Sequence, residues 1–270
     1  MCGRYVTIST IKAIEKRFNV KVENPDRYNP NVNVSLGQQA PVIASDQPGK
    51  VQFFTFGLTP VWAQKPMYLF NARSEGDHNK EDDPRYLGAM GIIQKPAFRK
   101  SIRERRCLVI ADAFIEGPKK EKLSKPYVVY MRNPEHRPFA FAGLWDEWVN
   151  RETGEVLRSF AIITSVSNAL LQKIGHHRSP VILSPGDEHT WLNPDSSLSD
   201  ITSLLRPFNP ALMNAYPISP AIKTPGVNAP ELLQPIGQRV EAEYEYEIYE
   251  DLKLEGMGST SARVRKNKEG

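Results

Sequence analysis

Arg106-Cys107-Leu108-Val109-Ile110-Ala111-Asp112-Ala113-Phe114-Ile115-Glu116 is apolar at every position from Leu108 to Ile115 except Asp112. It contains no Gly or Pro and reads as one core strand, with Glu116 at the point where it emerges. Working outward, similar runs occur at Gly3–Thr7, Pro41–Ala44, Val51–Leu58, Tyr127–Met131, Phe139–Leu144, Phe160–Thr164 and Val181–Leu183. Helical signals are fewer. Ser9 or Thr10 caps a helix carrying Ile11, Ile14 and Phe18 on one face. Asn168–Ile174 is a short helix stopped by Gly175. Ser184-Pro185 opens another through Trp191, and Leu198–Leu205 is a fourth, ended before Pro207. Asn24–Gln39, rich in Asn and Pro, reads as an extended loop. Strands outnumber helices and do not alternate regularly with them. The expectation is therefore an α+β single domain, a curved, barrel-like mixed β-sheet with peripheral helices.

The 270 residues, 40% hydrophobic and 24% charged, exclude a disordered chain and allow a sizeable core. No apolar run reaches the length of a membrane span, and the start lacks the pattern of a signal peptide, so the expected location is cytoplasmic. Cys2 and Cys107 are the only cysteines, too few for a thiolate zinc site; no disulfide and no cofactor are expected. Net charge is +4, yet Lys95–Lys125 alone carries ten basic against four acidic residues. That local excess of six reads either as a solvated face or as a phosphate-contacting patch.

Four places carry possible chemistry. Removal of Met1 leaves Cys2 with a free α-amine and an adjacent thiol. Their reference pKa values, about 7.7–8.0 and 8.5, give both a reactive fraction near neutrality. With an aldehyde the amine forms an imine, and the thiol can then close a thiazolidine ring. In Asn71-Ala72-Arg73-Ser74-Glu75, Asn71 can orient an amine and Arg73 can hold a phosphate as a forked donor; the alternative is a plain surface loop. Glu116, at a strand end, can act as acid or base if its surroundings are dry, or can simply be exposed. His176-His177-Arg178-Ser179-Pro180 places an imidazole beside a guanidinium in a tight turn. With no acidic residue in that turn, no metal site is expected.

Met-Cys-Gly-Arg-Tyr at the start, Asn-Ala-Arg-Ser-Glu, the strand ending in Glu116, Ala142-Gly143-Leu144-Trp145 and His-x-Arg-x-Pro occur in an order that resembles the SOS-response-associated peptidase (SRAP) family. The resemblance spans residues 2–236. Residues 237–251 then form a C-terminal extension, and 252–270 read as a mobile tail. The family pattern implies self-removal of Met1, then a thiazolidine crosslink between Cys2 and abasic sites in single-stranded DNA. Carried over, Cys2 is the nucleophile and Asn71 positions its amine. Glu116 assists Met1 removal and proton transfers, and His176 acts on the sugar hydroxyl and in reversal. Arg4, Asn33, Arg73 and Arg178 contact DNA, and Trp62 stacks beside a base. The implied protein is a monomer that associates with the nucleoid on DNA. Ile110, Ala113, Ile115 and Gly117 stand where the family has Pro, Gly, Tyr and Trp, and the Tyr-Asn-Val-Ala-Pro segment is reduced to Val32-Asn33-Val34-Ser35-Leu36. Two other readings fit parts of the chain: an N-terminal-nucleophile amidohydrolase or peptidase, and a non-catalytic single-strand binding module.

Overall fold

In the computed structural model, which describes residues 2–243, the run 106–116 bends at Asp112 and serves two sheets. The strands are β1 (Arg4–Thr7), β2 (Asn31–Ser35), β3 (Gln39–Ala44), β4 (Gln52–Phe56), β5 (Asn71–Arg73), β6 (Arg106–Ala111), β7 (Ala113–Glu116), β8 (Tyr127–Met131), β9 (Phe139–Val149), β10 (Val156–Val166), β11 (Arg178–Pro180), β12 (Ile182–Leu183) and β13 (Met213–Pro217). The helices are α1 (Ile11–Phe18), α2 (Met90–Gln94), α3 (Ser101–Glu104), α4 (Ala169–Lys173), α5 (Pro185–Leu192) and α6 (Leu198–Ser203).

The reason for the bend is Asp112. Its carboxyl is fully buried, and a buried carboxyl needs donors. It finds them at the backbone N–H of Ile8 (2.5 Å) and Ser9 (2.9 Å) and at the Ser9 hydroxyl, while its own N–H donates to Val6 O at 2.8 Å. The expected single strand is thus two, with the join tied to the end of β1.

Strands β4, β3, β6, β9 and β10 pair in that order, and β10 closes the ring by pairing parallel to β4. This is a five-stranded mixed barrel, as the sequence led us to expect. Alternate side chains explain the near-continuous apolar runs, because both faces are buried. Val42, Phe54, Phe56, Val109, Phe141, Trp145 and Phe160 point into one core. Ile43, Leu108, Ile110, Ala142, Leu144 and Ile163 point outward onto Ile14 of α1, Ile102 of α3, Trp191 of α5 and Ile201 of α6. Thr10 caps α1 through its side chain, which accepts from Ala13 N.

The second sheet is antiparallel, in the order β13-β8-β7-β1-β2. It covers the barrel core with Tyr5 and Phe114, whose rings lie 5.6 Å from Phe56 and 5.9 Å from Phe141. The stretch read as loop, 24–39, contains β2, because pairing with β1 supplies a ladder that Asn-Val-Asn-Val-Ser would not hold alone. β5, β11 and β13 were likewise not legible, and β9 and β10 extend beyond their apolar centres as a long hairpin. No helix among the described residues is long and apolar enough to cross a membrane. Met1, residues 244–251 of the expected extension and the whole 252–270 tail lie outside the described residues.

Candidate active site

The second sheet and the barrel meet at Cys2. It stands at the head of β1, 1% exposed, with Sγ 3.9 Å from Arg4 O. Asn71 opens β5, which is held parallel to β10 with Asn71 opposite Ile162. From there its Nδ2 donates to Cys2 O (2.9 Å) and Phe70 O (3.0 Å). Its Oδ1 is buried and has no hydrogen-bond partner among the described residues. Glu116 ends β7. The register Tyr5↔Phe114, continued by two residues, sets Glu116 opposite residue 3 and so beside Cys2. His176 follows α4 after Gly175, whose φ of 75° is the left-handed conformation that glycine adopts freely at a helix end.

The His176–Glu116 pair has a defined proton arrangement. His176 Nδ1 lies 2.6 Å from Gly117 O, and a carbonyl only accepts, so Nδ1 carries the hydrogen. In the neutral ring Nε2 then presents its lone pair to Glu116 Oε2 at 3.3 Å. Burial pushes the Glu116 carboxyl up to about 7. Burial lowers His176 to about 3, with the Gly117 hydrogen bond opposing. Near neutrality Glu116 is therefore partly protonated beside a neutral imidazole, and can both take and return a proton. The Cys2 thiol is pushed well above its ordinary value by burial first and by the Glu116 charge second. This corrects the expectation of a freely ionising thiol: at Cys2 the sulfur needs a neighbouring base to take its proton.

Gly117, where the family pattern has Trp, has a local reason to lack a side chain. A Cβ there would sit 1.8 Å from Lys122 O and 2.9 Å from Lys125 O, both backbone. Gly117→Ala is therefore expected to push the 118–125 loop outward and move the carbonyl that orients His176. The expected cost is about 1–3 kcal/mol of stability, read by thermal melting.

The residues expected to contact DNA divide. Trp62 is 52% exposed, its indole N–H directed at Pro96 O (3.4 Å). Arg73, 31% exposed at its side chain, is on the same face of β5 as Asn71 and bonds Asn79 O (2.7 Å) and Asp82 Oδ1 (3.1 Å). Arg4, 9% exposed, bonds Asn33 Oδ1 (2.5 Å) and Lys223 O (2.6 Å). Asn33 is 1% exposed, and its Nδ2 donates to Thr224 O and Val227 O. Asn33 thus fastens the 223–227 segment to β1 and β2 and does not face solvent. Arg178 is likewise not a free cation. It is 1% exposed, pairs through both terminal nitrogens with Glu75, itself 1% exposed, and donates to Thr164 Oγ1 at 3.1 Å.

That ion pair ties the Asn71–Glu75 segment to the His176–Pro180 turn, and with them Asn71 to His176. Glu75 had no assigned role in the sequence; the signal was an unpaired Glu in one motif and an Arg in the other. Arg178→Ala would leave the buried Glu75 carboxylate with only the Ser74 hydroxyl (2.9 Å) and a long 3.7 Å contact to Arg73 Nη2. We expect a loss of about 3–5 kcal/mol, visible as a much lower denaturation midpoint.

The basic stretch 95–125 is not one patch. Lys95 pairs with Asp77, Arg105 with Asp146, and Lys119 with Asp82. Arg106, 1% exposed, donates to the carbonyls of Trp191, Asn193, Ile102 and Arg103.

The family model described as SOS response associated peptidase (SRAP) matches residues 1–225. The chain is 34% identical to "Abasic site processing protein YoqW" of Bacillus subtilis over 241 residues, 87% of this chain and 99% of that one. It is 27% identical to "Abasic site processing protein HMCES" of Xenopus tropicalis, covering 78% of this chain and 68% of that one. A crystal structure of a Bacteroides thetaiotaomicron protein superposes with a TM-score of 0.69 at 28% identity, over 87% of this chain and 99% of the other.

Proposed function

The chain belongs to the SOS response associated peptidase family, and on that premise we propose that it processes abasic sites in single-stranded DNA by covalent capture through Cys2. The observation that carries this reading is the convergence on Cys2 of Asn71, by a 2.9 Å hydrogen bond, and of the Glu116–His176 pair.

The first step is hydrolysis of the Met1–Cys2 peptide bond: water adds, Met leaves, and Cys2 gains an α-amine. Asn71 Oδ1, buried and unspent, is suited to accept a hydrogen from that amine and aim its lone pair. The amine adds to C1′ of the ring-opened deoxyribose and loses water to give an imine. The thiol then adds to the imine carbon, and its proton passes to the nitrogen. Amine, thiol and aldehyde thus give one thiazolidine and one water. Glu116 is the base for the thiol proton, and its pKa near 7 suits it to return that proton. His176 exchanges the proton with Glu116 and serves the sugar hydroxyl. The chain acts as a monomer, with Trp62 stacking on a base and Arg73 on the DNA backbone.

The test is a denaturing gel of the purified protein, first shown by intact mass to have lost Met1. It is mixed with single-stranded DNA carrying one abasic site or none. A slow-migrating band with the abasic strand only is expected. The same mobility for both strands, with Met1 absent, would overturn the proposal.

A further inference from the structure

Beside the four residues, and reaching Arg73, lies a charged cluster centred on Asp82, whose carboxylate the proposed chemistry does not use. Asp82 is on the segment between β5 and α2, its side chain 10% exposed. Its carboxylate takes Arg73 Nη2 at 3.1 Å on one oxygen and Lys119 Nζ at 2.9 Å on the other, with His177 Nε2 3.9 Å away. Burial opposes its ionisation, but Lys119, His177 and Arg73 together hold it below its ordinary value.

The cradle has more donor capacity than one carboxylate uses. Arg73 Nε is a buried donor with no hydrogen-bond partner among the described residues; His177 Nδ1 is also unpartnered, and because burial lowers His177 to about 4 the neutral ring offers the cradle one N–H. Each is a buried polar atom left unpaired at a cost. The cradle is also reachable, since the Arg73 side chain is 31% and the Lys119 side chain 57% exposed. It adjoins the reacting group on two sides: Arg73 shares a strand face with Asn71, and His177 follows His176. The backbone at Asp82 is in the left-handed region, φ 58°, a conformation Asp tolerates but most residues avoid.

We propose that Arg73, Lys119 and His177 form a phosphodiester-binding site beside Cys2, and that Asp82 is its internal occupant, a carboxylate that a backbone phosphate of the strand must displace. This rests on the reading of the chain as a DNA-processing protein. A phosphodiester shares one charge over two oxygens, as the Asp82 carboxylate does, but adds two ester oxygens in a tetrahedral arrangement, so it can also engage Arg73 Nε and the His177 ring. Asp82 then sets a threshold. An isolated anion competes with a tethered carboxylate and loses. A strand held at neighbouring positions displaces it, and the exchange draws a phosphate next to the lesion into register with Cys2. Apparent affinity is reduced by the fraction of molecules in which the cradle is closed.

The experiment measures equilibrium binding of fluorescent single-stranded DNA without a lesion to Cys2→Ala protein, with no covalent product possible, across a salt series. Asp82→Asn is expected to bind roughly threefold to fivefold more tightly at low salt. Its plot of log affinity against log salt should steepen by up to about 0.7, one further phosphate neutralised. Lys119→Gln, with Asp82 retained, should weaken binding. Asp82→Ser serves as a second replacement if the Asn variant melts early. Unchanged or weaker binding by both folded Asp82 variants overturns the inference, even where the abasic crosslink and salt-dependent binding of the parent are intact. Absence of salt-dependent binding and of the crosslink in the parent would instead overturn the reading on which it rests.

Discussion

Cys2→Ala is expected to abolish the stable crosslink, the largest effect of any single replacement in this chain. Alanine keeps the α-amine and fits the space of a side chain that is 1% exposed, so the fold and the approach of the strand are retained. The amine can still meet the aldehyde, but without sulfur the product stops at an imine, which water reverses. The denaturing gel should therefore lose the slow band. Addition of borohydride during the reaction should restore it, by reducing the imine to an amine that cannot hydrolyse. Cys2→Ser should behave similarly, because an oxygen ring at that carbon opens far more readily than a sulfur ring. A stable band from the alanine variant without reductant would mean that another nucleophile makes the bond.

Glu116→Gln, compared with the parent only after intact mass shows Met1 absent from both, has the second-largest expected effect, a fall of about 10²–10⁴-fold in the rate of crosslink formation. Glutamine preserves volume and can still donate to His176 Nε2 across the 3.3 Å contact, so the loss reports proton transfer and not packing. The pH profile separates the groups. In the parent the rate should rise through about 7 as the buried carboxyl ionises and becomes a base. In the variant that rise should vanish, leaving only a later one from the α-amine, near about 7.7–8.0 by its reference value.

Stability should move the other way. The Glu116 carboxyl has its pKa raised by burial, from 4.5 to about 7. Its contribution is fully present below 4.5 and is lost as pH rises to 7, because the unfolded chain releases the proton first. Above pH 7 the Gln variant should therefore melt at a higher temperature than the parent, while reacting more slowly. Equal melting temperatures at pH 8 would argue that Glu116 is not held in a dry site. His176 has the opposite slope. Lowered to about 3, it contributes stability above 6.5 that is lost as pH falls towards 3. Between 4.5 and 6.5 the two therefore largely cancel, and the Glu116 loss stands alone only in the narrow interval up to about 7.

Local pattern was enough to read the barrel. The runs at 41–44, 51–58, 107–115, 139–144 and 160–164 carry their own strand signal because they are buried on both faces. The short strands were not legible, since β2, β5, β11 and β13 hold polar residues or Pro and are strands only because a neighbour pairs with them. The same division runs through the site. Cys2, Asn71, Glu116 and His176 could be named from short motifs, because each motif is contiguous. Glu75 with Arg178, 103 residues apart, and Asp82 with Lys119, 37 apart, could not be paired from sequence.

By itself, then, the chain's order of residues determined the strands of the barrel and which side chains are candidates for chemistry, since hydrophobic period and residue type are local properties. Only the tertiary structure decided which charges are spent and which are available. It buried Arg178 against Glu75, locked Asn33 under the 223–227 segment, and split one apolar run at Asp112. It also raised the Cys2 thiol and the Glu116 carboxyl together in one dry pocket. The physical reason is that ionisation and pairing depend on the dielectric and on partners brought from distant parts of the chain, neither of which is written at the residue itself.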